Sequence, residues 1–168
     1  MSNYRNHQFN YLKSIVDKID IENILKIKDS PILLLDKEGV IDRYRKMESL
    51  MPAVRPHFAI KSCPMPELLE IYKSIGAYLD VATSGEIELL NKIQYPASRL
   101  IHTHPHKTPK EMKVAYDYGI RYFTIDDLNE LEILEPYKKE IKVFLRLSFS
   151  SHHNNIDLSY KFGLHPQK

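Results

Sequence analysis

The stretch that decides the fold is HFAIKSCP at residues 57–64, followed by LDVATSGE at residues 79–86. It places Lys61 at the end of a short apolar strand, just before a helix is expected to begin. Surroundings that desolvate such a lysine lower the pKa of its amine, which can then form a Schiff base with an aldehyde. A strand-end lysine is more often a solvated charge, so the neighbouring residues decide between the two interpretations.

Size and charge restrict the classes of function. A chain of 168 residues, 43% of them hydrophobic, can bury the core of one ordinary domain. With 24 basic and 22 acidic residues, the formal charge of +2 indicates no nucleic-acid surface. The sequence predicts neither a membrane span nor a signal peptide, so a cytoplasmic location is the default expectation. The single cysteine, Cys63, fits a reducing compartment and is interpreted as a small packed side chain.

Outward from this stretch, the N-terminal part divides into three predicted segments. Residues 1–30 are predicted to form a helical lead, because apolar side chains recur at helical spacing between Leu12 and Ile27. Pro31 breaks this helix, and the apolar run 32–36 is typical of a buried strand. A second helix is then predicted from Val40 to Leu50.

From residue 57 onward, the sequence predicts repeated strand and helix units. Five apolar segments recur at a spacing of roughly 21 residues, with helical patterns between them. They are 57–61, 78–82, 100–103, 122–125 and 142–147. Such alternation predicts a parallel sheet, either an open doubly wound sheet or part of a barrel. Residues 31–168 are therefore predicted to form one domain.

Alternate strand residues face opposite sides of a sheet. One predicted side is apolar and suits packing on helices: Phe58, Ile60, Leu79, Val81, Phe123, Ile125, Val143, Leu145 and Leu147. The other carries small or polar residues: Ala59, Lys61, Asp80, Ala82, His102, His104, Thr124, Asp126, Phe144 and Arg146. Polar groups that gather at the carboxyl ends of parallel strands indicate a ligand site in either architecture.

Six short motifs, taken in order, resemble the fold type III pyridoxal-phosphate decarboxylases, which are the ornithine, diaminopimelate and arginine decarboxylases related to alanine racemase. The motifs are FAIKSCP at 58–64, GAYLDVATSGEIEL at 76–89, HPHK at 104–107, FTID at 123–126, LRL at 145–147 and LSYKFG at 158–163. Their shared order and spacing make the resemblance specific over about residues 31–164. The chain has His104 and His106 where the ornithine enzymes have Asn and Cys.

The resemblance implies a fold, a cofactor and a set of site residues. The fold is α/β, a partial (β/α)8 TIM barrel of the alanine racemase type with about five units, and the cofactor is pyridoxal 5'-phosphate. Lys61 is implied to form the internal aldimine with this cofactor. Asp80 and Glu86 are implied to lie near the reactive carbon, and Arg146 beside them and the cofactor ring. Lys161 is implied to belong to a mobile loop that meets a second subunit.

The resemblance also implies more than the chain contains. A full barrel needs eight strands, and the family's second half, with its phosphate-binding loop and C-terminal β domain, is not identifiable here. The chain is therefore expected to be an incomplete barrel that is inactive alone, with the complete protein a homodimer. The expected reaction is decarboxylation of a basic diamino acid, with ornithine favoured, in polyamine or amino acid metabolism. No metal, nucleic acid or membrane partner is expected.

Three alternatives stay open. Diaminopimelate is a second possible substrate, since Ser84-Gly85-Glu86 also resembles the diaminopimelate enzymes. A non-catalytic homologue that binds a protein partner is another alternative. The pattern His102-x-His104-x-His106 places alternate imidazoles as barrel hydrolases do to bind zinc, although Pro105 interrupts the strand.

Overall fold

The computed structural model describes residues 10, 13–14, 16–17, 19–27, 31–149 and 163–164. The chain divides into two compact units, Met1–Val40 and Ile41–Lys168. In the first unit, helix α1 spans Ile21–Ile27. Asp20 caps it, because its carboxylate accepts the main-chain N–H of Asn23 at 3.0 Å. Part of the predicted helical lead is thus observed, and the rest lies largely outside the described residues.

The prediction of a buried strand at residues 32–36 is wrong. This segment has no regular secondary structure, and Leu33 and Leu34 are 76% and 46% exposed. A strand needs a partner for its main-chain N–H and C=O groups, and residues 32–36 take part in none of the strand pairs found among the described residues. The predicted second helix is confirmed as α2, Lys37–Leu50.

The second unit contains a sheet of five parallel strands in sequence order. They are β1 His57–Ala59, β2 Tyr78–Val81, β3 Leu100–His102, β4 Tyr122–Ile125 and β5 Lys142–Leu145. A doubly wound sheet reverses its strand order at a switch point, whereas this order runs without reversal, as in a (β/α) barrel. The prediction of a partial barrel with about five units is confirmed.

Helices connect the strands, as the periodicity predicts. They are α3 Pro66–Ser74, α4 Ser84–Lys92, α5 Pro109–Tyr118 and α6 Glu130–Leu134, with single 3-10 turns at Ile60–Ser62, Ala97–Arg99 and Glu135–Tyr137. Capping boxes start α4 and α5, and Gly119 ends α5 at φ +109°, a conformation that favours glycine. No helix in the described part of the chain has the length and apolar character of a membrane span.

The core is formed by apolar side chains from the strands and helices. The largest fully buried ones are Phe123, Ile60, Leu69, Leu79, Leu90, Leu100, Met112, Ile120 and Ile125. Strand β5 differs from the others, because all four of its residues are exposed. After it, Leu147 forms a parallel bridge with Leu164. The apolar side of the sheet is thus packed at β2, β3 and β4, while the apolar residues of β5 stay accessible.

Candidate cofactor site at the carboxyl edge of the sheet

The carboxyl ends of all five strands lie along one edge of the sheet, because every strand pair is parallel. The residues that follow the strands are therefore neighbours along this edge. They include the turn Ile60–Ser62 after β1, Ala82 and Thr83 after β2, Thr103–Lys107 after β3, Asp126 after β4 and Arg146 after β5. Polar groups therefore gather at this end of the sheet, as the sequence predicts.

Lys61 lies in the 3-10 turn that follows β1 rather than in the strand itself. This turn contacts β2, the strand that carries Asp80. The Lys61 side chain is exposed, and its ammonium has no hydrogen-bond or ion-pair partner among the described residues. The described part of the chain therefore does not desolvate Lys61. The amine is open to an incoming aldehyde.

Asp80 lies in β2, in register with Ala59 of β1 and Ile101 of β3. Its carboxylate is half-buried and is held by Thr103. The Thr103 hydroxyl Oγ1 lies 2.6 Å from Oδ1 and 2.8 Å from Oδ2, and the Thr103 N–H donates to Oδ1 at 3.2 Å. Asp80 is therefore a fixed negative charge beside the turn that carries Lys61.

The Glu86 side chain caps the start of helix α4. Glu86 is the third residue of α4, and its Oε2 accepts the main-chain N–H groups of Ala82 at 2.6 Å and Thr83 at 3.3 Å. The Thr83 hydroxyl in turn accepts the Glu86 N–H at 3.3 Å, which completes a capping box. The carboxylate thus lies against the main chain of Ala82, the residue that directly follows β2. Its role beside a cofactor stays a prediction.

Arg146 follows β5 and is exposed. Its main-chain N–H donates to the Ile125 carbonyl at 2.8 Å, and its carbonyl accepts the Leu164 N–H at 2.7 Å. In the sheet, β5 lies three strands from β2, so Arg146 and Asp80 share the edge but are not strand neighbours. Lys161, the predicted interface residue, lies outside the described residues.

His102 is on the opposite face from the one predicted. In the register Asp80 pairs with Ile101, and Val81 pairs with His102. The ring of His102 is 2% exposed and lies 5.8 Å from the Phe123 ring. The prediction that His102 shares a face with Asp80 is therefore wrong. The segment 100–103 starts with two adjacent apolar residues, so alternation alone did not decide which of them is buried.

This position also argues against the zinc alternative. His102 is buried, whereas His104 and His106 are exposed and lie beyond the end of β3. Within the described ranges, no three His, Cys, Asp or Glu side chains are grouped so that they could hold a metal ion.

Burial makes His102 a source of acid sensitivity. Its pKa is lowered from 6.5 to about 4, chiefly by burial and further by the positive charge of Lys107. Between these values the unfolded chain binds a proton at His102 that the folded chain does not, so the contribution of His102 to stability is fully present above pH 6.5 and is lost as the pH drops to about 4. The loss is about 3 kcal/mol.

The measurement is urea unfolding of the native protein and of His102→Leu across pH 4–8. The variant lacks the titrating ring, so its free energy of unfolding should fall less steeply below pH 6.5. Equal slopes in both proteins would contradict the assignment to His102.

A buried ion pair that sequence reasoning missed holds the loop after β3. The Lys107 side chain is fully buried, and its Nζ lies 2.9 Å from Glu130 Oε2. The ammonium also donates to the carbonyls of His104, Pro105 and Thr124 at 3.1, 2.6 and 2.8 Å. Burial lowers the pKa of Lys107, and Glu130 opposes that shift. The signal in the sequence was weak, since an isolated lysine and glutamate on a predicted loop and helix usually face solvent.

The residues at this edge fit an anionic, aldehyde-bearing cofactor. Lys61 offers an accessible primary amine, Asp80 offers a fixed carboxylate, and Arg146 offers a guanidinium. An amine is the group that joins an aldehyde, and a guanidinium pairs with an anion. The roles of Lys61, Asp80 and Arg146 toward such a cofactor stay predictions.

Comparison with known proteins identifies the group to which this architecture is similar. The family described as "Pyridoxal-dependent decarboxylase, pyridoxal binding domain" matches residues 37–168. The lysine/ornithine decarboxylase of Selenomonas ruminantium is 29% identical over 144 residues, which are 86% of this chain and 37% of that protein.

Solved structures of decarboxylases are also similar to this chain. The lysine/ornithine decarboxylase of Vibrio vulnificus, complexed with cadaverine, is 35% identical with a TM-score of 0.77, over 88% of this chain and 38% of that one. The arginine decarboxylase of Paramecium bursaria Chlorella virus, bound to agmatine, is 28% identical with a TM-score of 0.77, over 88% of this chain and 40% of that one. The chain thus spans about two fifths of these proteins.

Proposed function

The chain belongs to the pyridoxal-dependent decarboxylases through its pyridoxal-binding domain, and from this premise we propose that the protein decarboxylates a basic diamino acid, with ornithine favoured. The observation that carries the proposal is the family match over residues 37–168. The names of its relatives support the substrate class, because they are lysine, ornithine and arginine decarboxylases. These substrates share an α-amino acid head and a cationic side chain.

In the proposed reaction, Lys61 anchors the cofactor. Its Nζ would hold the aldehyde carbon of pyridoxal phosphate, with the aldehyde oxygen released as water, and would become a free amine again when the amine of the substrate replaces it at that carbon. The bound pyridoxal ring accepts the electron pair that remains on the α-carbon when the carboxylate leaves. The exposed position of Lys61 in the turn after β1 gives the amine room to detach without disturbing the core.

The other site residues control charge around this amine. The Asp80 carboxylate favours a protonated nitrogen beside it, because opposite charges stabilise each other. Asp80 could equally hold the distal ammonium of a diamino acid. Glu86 is proposed as a second acid, although its Oε2 also caps α4. Arg146 offsets the repulsion between the two carboxylates.

The quaternary structure is also a proposal. We propose that the complete protein is a homodimer and that Lys161 belongs to a loop near the subunit contact. The resemblance of residues 158–163 to the LSxKFG segment of the family supports this assignment.

The reaction is tested with protein expressed from the full reading frame that contains this chain. After loading with pyridoxal phosphate, carbon dioxide release is measured from ornithine, lysine, arginine and meso-diaminopimelate, with cofactor-depleted protein as the control. We expect release from ornithine or lysine to exceed release from the other two substrates at least tenfold. Release from meso-diaminopimelate alone would contradict the substrate class, and no release from any of the four would contradict the activity.

A further inference from the structure

Thr103 donates hydrogen bonds to the Asp80 carboxylate, and the proposed decarboxylation does not yet include a role for it. It directly follows β3, and 23 residues separate it from Asp80 in the chain. Its single hydroxyl proton faces both carboxylate oxygens, at 2.6 and 2.8 Å. Its N–H is shared between Asp80 Oδ1 and the Val81 carbonyl, both at 3.2 Å. Thr103 thus contacts Asp80 through its side chain and its main chain.

Both partners of this contact are held by the sheet. β2 and β3 are paired in register, with Asp80 opposite Ile101, so the main chain of Thr103 cannot shift without breaking the ladder. Threonine is branched at Cβ, which restricts its χ1 torsion. An aspartate side chain has two free torsions, and a hydroxyl fixed in this way selects one orientation of the carboxylate. Hydrogen bonds to an ionised group are about twice as strong as neutral ones.

We propose that Thr103 is a positioning residue that fixes the orientation of the Asp80 carboxylate at the carboxyl end of β2 during decarboxylation. The proposal rests on the proposed function, because it takes Asp80 to act beside the cofactor. Thr103 itself does not touch the reacting atoms. Its effect on the reaction therefore passes through Asp80, and it should disappear when Asp80 can no longer act as a carboxylate.

The test compares Thr103→Val, which keeps the shape and removes the hydroxyl, with Thr103→Ser, which keeps the hydroxyl. Thr103→Val removes a hydrogen bond to a charged group, so we expect it to lower kcat/KM about tenfold or more. Most of this loss should fall on kcat, because orientation affects the transition state more than binding. Thr103→Ser should stay within about threefold of the native protein. Thr103→Ala replaces the valine variant if the latter does not fold.

The decisive control is a double-mutant cycle with Asp80→Asn. If Thr103 acts through Asp80, adding Thr103→Val to Asp80→Asn should lower kcat/KM by less than about twofold further. The proposal is overturned if valine and serine are equally impaired, if valine stays within twofold of native, or if its full effect persists in the Asp80→Asn background.

Two further measurements do not need turnover, so they test the role of Thr103 independently of the proposed decarboxylase activity. Absorbance titration of each variant with pyridoxal phosphate reports cofactor affinity without turnover, and we expect Thr103→Val to weaken it while Thr103→Ser does not. Thermal unfolding of the four proteins in the cycle reports the contact directly, with a drop in Tm for Thr103→Val that is smaller when Asp80 is already asparagine. A native protein that releases no carbon dioxide but shows this Tm coupling refutes the proposed function and leaves the contact established. Absence of the coupling refutes the positioning contact.

Discussion

Replacement of Lys61 with alanine is expected to eliminate the visible absorbance that pyridoxal phosphate acquires when a lysine amine holds it, and decarboxylation should fall below detection. Lys61 is the residue at which the proposed reaction begins, and it is the lysine of the turn Ile60–Ser62 that directly follows β1. Because its side chain is exposed and makes no hydrogen bond or ion pair with another described group, the free energy of unfolding should change by no more than about 0.5 kcal/mol. The substitution should therefore eliminate decarboxylation while leaving the free energy of unfolding nearly unchanged.

The measurements are an absorbance spectrum of the loaded protein, a urea unfolding curve, and borohydride reduction followed by peptide mass analysis. Borohydride converts the link between cofactor and lysine into a stable amine, so the peptide that contains Lys61 should gain the mass of the cofactor. Lys92→Ala is the matched control, because Lys92 is an exposed lysine at the end of α4. Retention of the visible absorbance in Lys61→Ala, or labelling of a different lysine, would refute the anchor assignment.

Replacement of Lys107 with methionine is expected to destabilise the protein by about 3–5 kcal/mol, because it leaves the Glu130 carboxylate buried without its cation. Glu130 is 5% exposed and lies at the start of α6. The three carbonyls that accept from Lys107 lose their donor at the same time. The loop after β3, which begins with Thr103, should loosen as a result. The free energy of unfolding in urea measures this loss.

Two comparisons give the Lys107 prediction its specificity. Adding Glu130→Gln to Lys107→Met removes the unpaired charge and keeps an acceptor for the Lys107 N–H, so the double variant should recover at least half of the loss. Lys113→Met removes an exposed ion pair with Asp117 and should change stability little, because solvent screens such pairs. If Lys107→Met unfolds like Lys113→Met, or if the double variant is less stable than Lys107→Met, the buried pair is not what holds the loop.

Much of the architecture was readable from local patterns. The recurrence of apolar segments predicted all five strands and the four helices that follow β1 to β4, because period 2 and period 3.6 reflect which side chains one element buries. The same reasoning predicted polar groups at the carboxyl ends of the strands, where the structure has Asp80 and Arg146, but it did not single out Thr103. It could not reveal that Lys61 would lie in a 3-10 turn with an exposed side chain.

Both wrong predictions concern residues whose structure depends on a neighbouring strand, and a local sequence pattern contains no information about that strand. The apolar run at 32–36 has the composition of a strand, but composition does not provide a neighbouring strand. His102 was assigned to the wrong face because a shift of one residue reverses every side chain in a strand, and the register with β2 decides the shift.

The sequence by itself determined the βα repeat and the lysine that follows the first strand, since each depends on residues that are close in the chain. The strand order, which only the tertiary structure shows, decided for a partial barrel over a doubly wound sheet. Only the tertiary structure decided that Thr103 holds Asp80 and that Lys107 is buried against Glu130. In each pair, 23 residues separate the two partners. Contacts of this kind depend on how neighbouring strands align and on how much water the packing excludes, and both are properties of the assembled sheet.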